Sequence, residues 1–110
     1  MSDIELLERA AKAIGLRHVC YDGLDYDGKL GLQLVDGIGR HTDTWSPLTD
    51  DGDAFRLAVK LNMFVDVQPC VSGAQIVGVA FVSEEHGDDQ LAATRRAIVR
   101  AAAAMAGDAP

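Results

Sequence analysis

A chain of 110 residues, 48% hydrophobic and 25% charged, bounds a single domain, residues 1–110, with a core of its own. Its formal net charge of -7 disfavours direct nucleic-acid binding, which rests on Lys and Arg neutralising phosphates. No stretch approaches the roughly 18 apolar residues that span a bilayer, and no basic segment followed by an apolar run opens the chain. The expectation is therefore a cytoplasmic protein without a membrane partner.

The spacing predicts an amphipathic helix over residues 3–14, with Ile4, Leu7, Ala11 and Ile14 on one stripe. Ser2 and Glu5 stand at capping-box spacing and Gly15 ends the helix. Leu16 to Tyr21 and Leu30 to Val35 read as two strands of a first hairpin, with Asp22-Gly23 and Asp27-Gly28 bracketing the turn. Arg40 to Thr44 is polar and carries no clear pattern. Trp45 then precedes Ser46-Pro47, which ends an extended segment because proline fixes its own φ and restricts the residue before it. Thr49 or Asp50 caps a central helix whose stripe is Ala54, Leu57, Ala58 and Leu61. Phe55 and Val59 widen the apolar face, so this helix is expected to lie across a sheet in the middle of the fold.

Phe64, Val65 and Val67 begin a third strand that Pro69 limits to an edge or an end. Ser72-Gly73 reads as a turn, and Ile76 to Val82 as a fourth strand. Asp88 is the expected cap of an alanine-rich helix over residues 91–105, with Leu91, Thr94, Ile98, Ala101, Ala102 and Met105 inward. The fold class that follows is α+β: a two-layer domain in the order αββαββα, with three helices on an antiparallel sheet of about four strands built from two hairpins. Trp45, Leu57, Leu61, Val79, Phe81 and Ile98 are expected to share its core. Cys20 and Cys70 lie in apolar contexts without metal or disulfide-framework spacing, which predicts two buried free thiols.

Chemistry-bearing patterns are few, and no cofactor or metal is expected. Asp25-Tyr26-Asp27-Gly28 opens like a calcium loop, but no Glu follows between Lys29 and Gly39, so it reads as a turn. Gly37-Ile38-Gly39-Arg40 lacks the lysine and helix start of a phosphate loop. His18 and Cys20 share one strand face and would need nearby carboxylates to act as a nucleophile pair, while His41, Cys70 and His86 lie in separate segments.

Charge distribution carries more. Eleven of the seventeen acidic residues fall in 22–27, 43–53 and 84–89, which contain no Lys or Arg. Loops so composed can present a negative surface to a basic partner. The residues expected to do so are Asp22, Asp25, Asp27, Glu84, Glu85, Asp88 and Asp89. Arg95, Arg96 and Arg100 form the basic cluster, and Arg96 and Arg100 share a helix face suited to an anion or to solvent.

Two stretches support a resemblance: Trp45-Ser46-Pro47-Leu48-Thr49-Asp50-Asp51-Gly52-Asp53-Ala54, and Ala92-Ala93-Thr94-Arg95-Arg96-Ala97-Ile98-Val99-Arg100-Ala101-Ala102. With the N-terminal helix, they resemble short phage and prophage proteins of the NinX-like kind, which usually carry Asn where this chain has Ser46. The resemblance implies a bacteriophage accessory product and brings no catalytic residues. Together with the acidic loops, it leads to an expected non-catalytic protein, monomer or homodimer, that binds a basic host protein in the host cytoplasm. An inhibitor of antiviral defence, anti-CRISPR-like, is one such role. The alternative is a small enzyme or ligand-binding domain using His18 and Cys20.

Overall fold

The computed structural model describes residues 2–16, 18–19, 31–35 and 41–106. Helix α1 spans Asp3–Ala13, and Ser2 caps it by accepting the Glu5 N–H at 3.2 Å. It ends where Gly15 takes φ +72°, so that the Gly15 and Leu16 N–H groups fold back to Lys12 and Ala11 carbonyls. Strands β1 (His18–Val19), β2 (Leu32–Val35) and β3 (His41–Trp45) form one antiparallel sheet in that order. The two expected strand segments pair antiparallel, the turn expected between them lies outside the described residues, and the polar stretch before Trp45 adds a third strand. Gly31 fits beside that strand because a Cβ there would meet Thr44 Cγ2 at 2.8 Å.

Helix α2 spans Asp51–Lys60 and is capped by Asp50, which accepts the Asp53 N–H at 2.9 Å. Asn62, at φ 54°, closes it: the Asn62 and Met63 N–H groups reach the Val59 and Ala58 carbonyls. Strands β4 (Phe64–Val67), β5 (Val71–Ile76) and β6 (Ala80–Glu85) make a second three-stranded antiparallel sheet with β5 in the middle. Helix α3 spans Gln90–Ala106.

The class is α+β and every described pairing is antiparallel, but the described strands form two sheets of three rather than one of about four. Ser72-Gly73 is not a turn. It lies within β5, and the chain reverses at Val77-Gly78-Val79, where Gly78 takes φ +76°. The expected strand Ile76 to Val82 is thus cut in two. Val79 and Phe81, expected in the core, are 51% and 71% exposed. The reversal puts Phe81 opposite Gln75 on the outer face, while Ala80, Val82 and Glu84 turn towards α3.

The element across the second sheet is α3, not α2. It packs on β5 and β6, on α1 and on α2. Alanine makes this possible: Ala93, Ala97, Ala101, Ala102 and Ala103 are buried and let three neighbours approach one helix. Leu91 and Met105, expected inward, are exposed. A single apolar cluster joins Leu7, Leu32, Trp45, Leu57, Ile76 and Val99. Leu61 packs against it only partly buried. Phe55 and Val59 of α2 are exposed. Among the described residues, no helix is long and apolar enough to cross a membrane.

Candidate partner-binding surface

The chain passes from β6 to α3 through Glu84-Glu85-His86-Gly87-Asp88-Asp89, a turn that Gly87 permits at φ +59°. Its four carboxylates have different employments. Glu84 faces α3, where it pairs with Arg100 and lies 4.0 Å from Arg96. Asp89 caps α3 by accepting the Ala92 N–H at 2.9 Å, the role the sequence assigned to Asp88. Glu85 and Asp88 are exposed and have no basic partner among the described residues. Arg96 also reaches Asp3 of α1 at 2.8 Å, so Arg96 and Arg100 tie elements together rather than forming a free anion cradle.

Beneath this turn lies a buried polar chain. His86 is 9% exposed and Ser72 fully buried; Ser72 Oγ is 2.8 Å from both His86 Nε2 and Thr94 Oγ1. His86 Nδ1 lies 3.2 Å from the Pro69 carbonyl, which only accepts, so Nδ1 donates to it, and Nε2 is left to the Ser72 hydroxyl. Thr94 Oγ1 donates to the Gln90 carbonyl, 2.9 Å away. A serine bonded to a histidine resembles a nucleophile and its base, but no solvent reaches Ser72 and a backbone carbonyl, not a carboxylate, orients His86. The arrangement fastens β5 and the acidic turn to α3. The sequence placed His86 in an unrelated segment; strand alternation, with Ser72 facing α3, is the signal that links them.

The Trp45 motif is held from two sides. Asp53 accepts the Ser46 N–H at 2.9 Å and pairs with Arg56 at 2.7 Å. Ser46 Oγ and Thr49 Oγ1 are 2.5 Å apart in the turn before α2. From α3, Arg95 donates to the Leu48 carbonyl at 2.9 Å and to Asp51 at 2.6 Å. The Trp45 motif and α3 thus meet through Arg95. Between α2, α3 and β4 an open groove of about 720 Å³ is lined mainly by apolar side chains, Phe55, Val59, Val65, Leu91 and Ile98 among them.

Of the remaining candidates, His18 lies in β1, while Cys20, Asp22, Asp25 and Asp27 fall outside the described residues. Cys70 is a free, exposed thiol, not a buried one: the strand stops before Pro69 and leaves it in the bend ahead of β5. Among the described residues, no three His, Cys, Asp or Glu side chains gather as a metal site. No protein-family profile matches the chain, and neither a curated protein nor a solved structure is significantly similar to it.

Proposed function

We propose that this chain is a non-catalytic bacteriophage accessory protein that occupies a basic surface of a host protein, and that its role is inhibition of an antiviral defence system. The phage setting follows from the likeness of the Trp45 motif and the C-terminal helix to NinX-like proteins. The observation that carries the binding mode is the exposure of Glu85 and Asp88 with no basic partner among the described residues. In a chain of net charge -7, such carboxylates set the field that a basic partner meets first. The loop acids Asp22, Asp25 and Asp27 extend the same negative character in the sequence.

Affinity capture from phage-infected host cells tests this. The expected result is one basic protein recovered in stoichiometric amount, with less recovered by a Glu85→Gln/Asp88→Asn variant and by an Asp22→Asn/Asp25→Asn/Asp27→Asn variant. Recovery of no protein, or equal recovery by all three chains, would count against the proposal.

A further inference from the structure

We infer that a second copy of this chain docks on the open edge of β4, extending the second sheet across a two-fold axis and covering the groove between α2 and α3. Strand β4 lies at the edge of its sheet, and all four of its residues are exposed. It runs in regular register with β5 from Phe64 to Val67, without a bulge. Edge strands that stay unpaired are usually blunted by charged side chains, Lys above all, by Pro, by a bulge or by very short length. This one has four residues and no Lys, Pro or bulge, and its one charge, Asp66, accepts a hydrogen bond from Gln68 Nε2 at 2.7 Å.

Apolar surface flanks the edge on both faces. On the helix side stand Phe55, Val59, Val65 and Leu91; on the outer side Phe64 and Phe81 lie in one row across the sheet with Gln75 between them. Phe55 and Phe64 are 68% and 64% exposed. Phenylalanines so exposed present on the order of 100–150 Å² each. With their aliphatic neighbours the patch reaches several hundred Å², against the roughly 800 Å² that a standard interface takes from each partner.

Charge selects the occupant. The groove holds one acid and one base, Asp51 and Arg95, already paired at 2.6 Å, so it offers no field to a basic protein and no repulsion to an acidic one. A second copy of an acidic chain is suited to a neutral patch. Residues directly opposed in a continuous sheet share a face, and this restricts the register. A two-fold axis through Val65 opposes Val65 to its own copy and Phe64 to Asp66. An axis through Asp66 would oppose two carboxylates, which is unfavourable.

This inference is independent of the host-binding proposal and is tested without a host protein. Sedimentation of the purified chain should give twice the 11.7 kDa chain mass, falling to the single mass on dilution. Val65→Lys and, separately, Phe55→Glu should be monomeric at concentrations where the parent is dimeric, with unchanged circular dichroism. Glu85→Gln should remain dimeric. In a chain carrying Cys20→Ser and Cys70→Ser, Val65→Cys should oxidise to a covalent dimer, because opposed strand positions stand about 4.5–5.5 Å apart, within disulfide reach. Val67→Cys should not. A chain monomeric at every concentration, a dimer indifferent to Val65→Lys and Phe55→Glu, or cross-linking at Val67→Cys in place of Val65→Cys would overturn the inference.

Discussion

Ser72 serves as a link: its fully buried hydroxyl stands 2.8 Å from both His86 Nε2 and Thr94 Oγ1. Ser72→Ala would leave the imidazole Nε2 without its hydroxyl partner. Leaving a buried polar atom unpaired costs about 1–3 kcal/mol, so the denaturation midpoint should fall accordingly while the secondary structure stays intact. An unchanged midpoint would mean that Ser72 does not fasten β5 to the turn. Cys70 behaves in the opposite way. Its exposure predicts prompt reaction of the native protein with a thiol reagent, measurable by mass at that residue. A Cys70 thiol that reacts only in denaturant would restore the burial expected from its apolar sequence context.

Helices α1, α2 and α3 were legible because each carries its own start, stripe or stop: Ser2, Gly15, Asp50 and the alanine run mark ends or interiors that tertiary context did not alter. The second sheet was misread where side-chain chemistry masked backbone chemistry. Val77 and Val79 have strong strand propensity yet flank Gly78 in a turn, while Ser72 and Gly73 look like turn residues yet sit in the central strand. Ser72 is there for its buried hydrogen bonds, and Gly73 lies beside the Phe81 ring with room left for a Cβ. Gly78→Ala should destabilise by about 1–2 kcal/mol, the usual cost of the left-handed region for a side chain with Cβ. Gly73→Ala should be tolerated, since its Cβ would make only ordinary contacts at 3.4 Å or more. The reverse order of costs would return the turn to Ser72-Gly73. For α2, Leu57→Ala should cost about 2–5 kcal/mol, because Leu57 is 1% exposed. Val79→Ser should stay within about 0.5 kcal/mol, as surface changes do.

Over the whole molecule, the acidic character and the location of the core have different origins. The core gathers round α3, whose small side chains let α1, α2 and the second sheet approach, so the fold depends on a helix that composition alone presents as mere helix propensity. The acidic surface was legible as clusters in the chain, but not the employment of each carboxylate. Glu84 and Asp89 serve Arg100 and the α3 N-terminus, and only a folded neighbourhood reveals that Glu85 and Asp88 have no basic partner among the described residues. Charges at the rim of an interface act mainly on association rate and are screened beyond about 8–10 Å at physiological salt. The decisive measurement is therefore the association rate of the captured host protein with the parent chain and with Glu85→Gln/Asp88→Asn, across a salt series. The account predicts slower association of the variant at low salt, a gap that closes as salt rises, and a similar dissociation rate. Identical association rates at low salt would contradict it.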